Sequence, residues 1–128
     1  MQYSITYNNE KQFILITLVG EIDIPIMQKA INEADQVIIE HQCNRIIGDF
    51  RETLFSAGTL DILHLYEFWI KTLKANHIAP TESKRVIFIK PDQKNWDNFH
   101  FFETISVNRN SRVKIFYDLD KAVEWICK

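Results

Sequence analysis

Glycine is scarce in this chain, with three residues among 128. None of the three is spaced as in a phosphate-cradling loop or a dinucleotide-binding turn, so those nucleotide fingerprints are excluded. Cysteine is scarcer still. Cys43 and Cys127 supply no disulfide framework, and a reducing, cytoplasmic setting is the expectation. His41 and Cys43 stand as H-x-C, yet no second pair lies near them in sequence, and His64, His77 and His100 are scattered. A metal site needs three or four converging ligands, so neither a metal nor another cofactor is expected. An excess of charge of one sign is also missing. The net charge is −2 with acids and bases interspersed, which leaves no footprint for DNA or RNA. The longest apolar run, Phe13 to Val19, is far too short for a membrane span. Met1-Gln2-Tyr3-Ser4 lacks the basic start and apolar stretch of a secretory signal. No Ser or Cys occupies a nucleophile-elbow context.

What is present is an ordinary globular composition, 46% apolar and 25% charged. The length suits one domain, residues 1–128, with a core that needs no staples. Tyr3, Ile5 and Tyr7 alternate with polar residues, Asn8-Asn9-Glu10-Lys11 turns, and Phe13 to Val19 follows, so the start reads as an antiparallel hairpin. Gly20-Glu21-Ile22-Asp23 ends it, and Pro25 suits the first turn of a helix. Met27, Ala30, Ile31, Ala34, Val37 and Ile38 recur at helical spacing to about His41. Arg45 to Phe50 is the next strand, a polar loop follows, and a second helix runs from Thr59 to near Asn76. After the break at Ala79-Pro80-Thr81-Glu82-Ser83 come a strand from Arg85 to Lys90, a helix from Gln93 to Val107 and a strand from Arg112 to Tyr117. A short helix capped in Asp118-Leu119-Asp120 turns Ala122, Trp125 and Ile126 inward.

This order predicts an α/β fold: a five-stranded mixed, mostly parallel sheet made of an N-terminal antiparallel hairpin and then βα units, with four helices. The second and fourth strands are apolar on both side-chain sets, and such strands are covered on both faces.

The stretch from Arg45 to Leu60 is where chemistry would gather. A strand feeding a helix through Ser56-Ala57-Gly58-Thr59 sets hydroxyls and free N–H groups at a helix N-terminus, where negative charge is favoured. Ser56 and Thr59 read first as helix caps; the competing reading is a phosphorylation or anion site at Ser56, Gly58 and Thr59. Asp49, Arg51 and Glu52 are expected at the carboxyl end of a parallel strand, the edge at which open α/β sheets bind ligands. Paired acids there could do acid–base work, although solvated loop charges explain them as well. A phospho-acceptor receiver domain is excluded because the acidic pair it needs after its first strand is missing.

Asn108-Arg109-Asn110-Ser111-Arg112-Val113-Lys114-Ile115-Phe116, followed by Asp120-Lys121-Ala122-Val123-Glu124-Trp125-Ile126, resembles the ending of bacterial SpoIIAA-like, STAS-type domains. The hairpin, the Gly20 turn and the strand-loop-helix around Ser56 fit the same plan. The resemblance implies sequential strand order and relatives that are anti-sigma-factor antagonists, in which a partner kinase phosphorylates a hydroxyl at the start of the second helix. Here Phe55 stands in place of the family's acid, Ser56 keeps the first hydroxyl, Ala57 takes the phosphorylated position and Gly58 keeps the glycine. That role would therefore fall to Ser56 or Thr59.

Aromatics are plentiful, with nine Phe, four Tyr and three Trp. Trp69, Trp96, Phe101 and Phe102 exceed what one packing stripe on each of two helices consumes, so they are expected to form a partner surface. The leading function is thus a non-enzymatic regulatory or protein-interaction module, with a protein partner or a second copy of the chain. The alternative is a carrier of a small apolar ligand, because the resemblance extends to the fold of Sec14-type lipid-binding domains and the wide face from Ile62 to Leu73 could roof a pocket.

Overall fold

A computed structural model describes residues 2–128; Met1, part of the N-terminal stretch discussed above, lies outside them. The alternating tyrosines form β1 (Tyr3–Asn8), and the apolar run forms β2 (Phe13–Ile22). Asn8 makes the turn between them. Its side-chain oxygen accepts from Lys11 N–H at 2.9 Å and its carbonyl from Gln12 N–H at 2.8 Å. Helix α1 (Ile24–His41) starts where Asp23 accepts from Ile26 N–H at 3.0 Å, with Pro25 in the first turn. Then follow β3 (Arg45–Phe55), α2 (Thr59–Ala75), a 3-10 turn at Pro80–Glu82, β4 (Lys84–Phe88), α3 (Trp96–Asn108), β5 (Arg112–Phe116) and α4 (Leu119–Ile126). The strands lie in sequence order, β1 antiparallel to β2 and the rest parallel. This is the α/β architecture of five mixed strands and four helices that the sequence predicts. Among the described residues no helix is long and apolar enough to cross a membrane.

The helices divide three to one. Ile14, Ile16, Leu18, Ile46 and Ile87 face a core roofed by α1, α2 and α3. Phe13, Ile47, Val86 and Phe88 point the other way, beneath Ala122 and Ile126 of α4. Two-sided apolar strands thus find cover on both faces. Lys84 fastens α4 from below: its ammonium donates to the carbonyls of Trp125 at 2.8 Å and Lys128 at 3.3 Å and lies 4.7 Å from the centre of the Trp125 ring.

Several boundaries depart from expectation: β2 runs on through Gly20-Glu21-Ile22 instead of ending at Val19, β4 stops at Phe88 rather than Lys90, and the end of β3 and the start of α3 shift as well. The segment taken as a polar loop after Phe50 continues β3 as far as Phe55, pairing Glu52–Phe55 with Val19–Ile22 beyond an irregularity between Thr17 and Val19. The extra residue lies on β3, where three steps from Asp49 to Glu52 match two from Thr17 to Val19, and β2 holds Gly20 at φ +89 just beyond it. Thr53 is buried and donates its hydroxyl to the Leu18 carbonyl at 2.8 Å. Asp49, Arg51 and Glu52 therefore lie within the strand, Asp49 being the last β3 residue to pair with β4. Helix α3 starts at Trp96 rather than Gln93 because Gln93 is used otherwise. Its buried amide donates to the carbonyls of Phe50 and Thr53 at 3.0 and 3.1 Å and accepts from Lys90 N–H at 3.1 Å, so it bolts the β4–α3 loop to extended β3.

Candidate functional site

The carboxyl ends of the parallel strands and the starts of α2, α3 and α4 converge at one rim. With β3 extended, its connection to α2 is only Ser56-Ala57-Gly58. Ser56 N–H still bonds the Ile22 carbonyl at 3.3 Å. Asn95 and Asn98, at the start of α3, donate to the carbonyls of Phe55 and Ala57, each at 3.0 Å. Trp96 stacks on His100 at 4.6 Å and donates its indole N–H to the Tyr117 hydroxyl at 3.0 Å. The rim also exposes apolar side chains: Leu60 is 63% exposed, Tyr117 48% and Leu119 44%.

Neither Ser56 nor Thr59 caps α2, contrary to expectation. Gly58 is the N-cap residue, and its N–H donates to the Asp61 carboxylate at 3.2 Å. Because Ser56 is still held by the sheet, the chain enters the helix two residues later than a Ser56 cap requires. Both hydroxyls are exposed, and the carboxylate of Asp61 occupies a place where an anion would bind.

Trp69 requires a correction. It is 1% exposed and packs with Tyr66 at 5.7 Å and Phe102 at 5.8 Å, so it belongs to the core and cannot be part of a partner surface. Phe101 and Phe102 are half-buried against the same core, and Trp96 is half-buried at the rim. Helix α3 accommodates both adjacent phenylalanines because it packs on α2 along one flank and on β5 along the other.

A second region lies inside. Between the sheet and helices α1–α3 is a cavity of about 100 Å³, lined by apolar side chains including Leu18, Ile31, Ile62 and Phe99, and by Trp69 and Arg85. Arg85 sits 4.6 Å from the centre of the Trp69 ring, and one guanidinium nitrogen lies 3.7 Å from Asp35. Asp35 is fully buried, and Asn76 donates to it at 3.4 Å. Burial pushes the Asp35 carboxyl up, with Arg85 pulling it down less strongly. Burial also lowers Arg85 to about 10, against the opposing pull of Asp35, so the guanidinium stays charged at neutral pH. Sequence reasoning missed this pair. The signal was available: Asp35 stands four residues from Ile31 and three from Ile38 on the buried stripe of α1.

The remaining candidates take structural places. His41 stacks on Tyr7 at 3.9 Å, and buried Cys43 donates its thiol to the Gln12 carbonyl at 3.3 Å. Asp49 receives two hydrogen bonds from the Arg51 guanidinium, each at 3.0 Å, and Glu52 lies 3.5 Å from Lys90.

No family model and no curated protein matches this chain. Solved structures do. An uncharacterized protein with a SpoIIAA-like fold from Shewanella loihica PV-4 aligns at TM-score 0.58 and 16% identity, over 98% of this chain and 92% of that one. The unphosphorylated anti-sigma factor antagonist SpoIIAA aligns at TM-score 0.55 and 12% identity, over 97% and 96% of the two chains. An anti-sigma factor antagonist from Mycobacterium paratuberculosis aligns at TM-score 0.55 and 11% identity, over 98% and 93%. The fold is SpoIIAA-like.

Proposed function

We propose that this chain is a non-enzymatic, cytoplasmic regulatory module of the anti-sigma-factor-antagonist kind, which works by docking a protein on the rim at the carboxyl ends of its strands. Exposed Leu60, Tyr117 and Leu119, which all follow the carboxyl ends of strands, support this reading, since apolar groups exposed at one end of a sheet mark an interaction surface. Solvent-facing Ser56 and Thr59 lie within the rim, and a phosphate on either would place about two negative charges beside Asp61 and alter what docks there. Two of the similar solved proteins are described as anti-sigma factor antagonists. A second copy of this chain is one occupant that the rim would suit.

Cross-linking in the native cells tests the reading. Links to a partner are expected from Lys90 and Lys94, beside the rim; links confined to Lys11 and Lys74, at the opposite end of the strands, would overturn it. Mass spectrometry of the same material reads phosphate on Ser56 or Thr59.

The cavity favours a second reading, a carrier of a small apolar ligand. Organic extraction of the natively produced protein should then release a bound compound, and an empty extract counts against it.

A further inference from the structure

The two edges of the sheet are not alike. At the β5 edge the outward Ile115 N–H donates to the Glu103 carboxylate at 2.6 Å, and charged Arg112 and Lys114 stand exposed along the strand. Such devices keep an edge from pairing with another chain. The β1 edge has none of them. Tyr3–Asn8 carries no charge, proline or glycine, and its register against β2 is unbroken. Val19 N–H bonds the Gln2 carbonyl at 2.9 Å, which makes Gln2 and Val19 a hydrogen-bonded pair. Such pairs alternate along an antiparallel ladder, so Ser4, Thr6 and Asn8 bond to β2. The N–H and C=O groups of Tyr3, Ile5 and Tyr7 then point away from the sheet, and no backbone group among the described residues meets them. The strand is also its own complement. In either direction from Ile5, Tyr3-Ser4-Ile5-Thr6-Tyr7 gives a hydroxyl residue and then a tyrosine. An antiparallel second copy about a two-fold axis at Ile5 sets Ile5 against Ile5, Ser4 against Thr6 and Tyr3 against Tyr7, and the outward groups meet as hydrogen-bonded pairs. Charge agrees with this register: Glu33 of α1 lies beside the Tyr3 hydroxyl and His41 of α1 stacks on Tyr7, so Glu33 turns toward the partner's His41.

We propose that the chain forms a two-fold dimer by antiparallel pairing of β1 with β1 of a second copy, which joins the two five-stranded sheets into one. This goes beyond rim docking and stands apart from it. The paired strands run in opposite directions, so the two rims lie at opposite ends of the joined sheet and both stay open. Sedimentation equilibrium of the full chain over a concentration series tests the pairing. Wild type is expected to be a reversible dimer. Ser4 and Thr6 are exposed, so charges there leave the core untouched. Ser4→Lys with Thr6→Lys places like charges opposite each other across the axis and should weaken the dimer at least about tenfold; Ser4→Lys with Thr6→Glu places opposite charges there and should keep it. Ile5→Pro removes an outward N–H and no bond to β2, so it should yield a monomer. If that variant does not fold, the two charge variants decide alone. The rim variant Leu60→Lys with Tyr117→Ser should dimerise as wild type does. A wild type that stays monomeric throughout, a dimer on which the two charge variants act alike, or one that only the rim variant breaks overturns the proposal.

Discussion

Asp35 and Arg85 set two opposite charges inside the core at 3.7 Å, too far apart for a hydrogen bond. A pair of this kind adds little over an apolar replacement, but removing one half strands the other charge. Asp35→Ala is therefore expected to lower the unfolding free energy by about 3 kcal/mol, and Asp35→Leu joined with Arg85→Met by much less. Urea unfolding of the three proteins makes the comparison. The same residue gives a pH signature. Its carboxyl is raised above its ordinary value of 3.8 by burial, so between 3.8 and the raised value the folded state holds a proton that the unfolded state has released. Stability must fall as pH rises through that window. Asp35→Asn cannot titrate there, so the stability of the wild type relative to this variant should decline as pH climbs from 3.8 and then level off. Gly20 is a simpler case: at φ +89, with no atom within 4 Å of an added Cβ, Gly20→Ala tests backbone strain alone. A loss of about 1 kcal/mol in the same assay is expected.

Elements depend on a few polar bolts. Gln93 satisfies three backbone groups with one side chain, so Gln93→Ala should cost about 2 kcal/mol and free the loop before α3. Hydrogen exchange would then quicken at the Lys90 amide. At the other face Lys84 joins β4 to the end of α4, so Lys84→Met should leave the sheet folded while raising exchange at the α4 amides. The bolts also explain which boundaries could be read from sequence. The hairpin and the α1 start were legible because period-2 alternation and Pro25 act locally, whereas the sequential strand order came only as an implication of the family resemblance. The end of β3 was not, because Arg51 and Glu52 look like loop residues until Thr53 and Phe55 are seen pairing with the far end of β2. Likewise, nothing local in Gln93 reveals that its partners lie about forty residues upstream, at Phe50 and Thr53.

At the scale of the whole molecule, the aromatic count was informative but its location was not. Sixteen aromatic rings in 128 residues do exceed one stripe per helix. Yet α2 and α3 pack on each other as well as on the sheet, and that second contact absorbs Trp69 and much of Phe102. Periodicity marks which side of a helix is apolar but not how many neighbours share it. The exposed apolar side chains at the rim instead come from loop-flanking positions, Leu60, Tyr117 and Leu119, which carry no periodic signal. Whether a protein docks at this rim is read from one comparison. Tagged wild type, a rim variant with Leu60→Lys and Tyr117→Ser, and a control with Ile39→Lys and Val107→Lys at exposed apolar sites away from the rim are recovered from the native cells, and bound proteins are quantified. One stoichiometric partner is expected on wild type and control, reduced at least about tenfold on the rim variant, since two buried apolar contacts are worth more than 1.4 kcal/mol. Equal recovery on all three proteins, or loss on the control alone, would contradict docking at the rim.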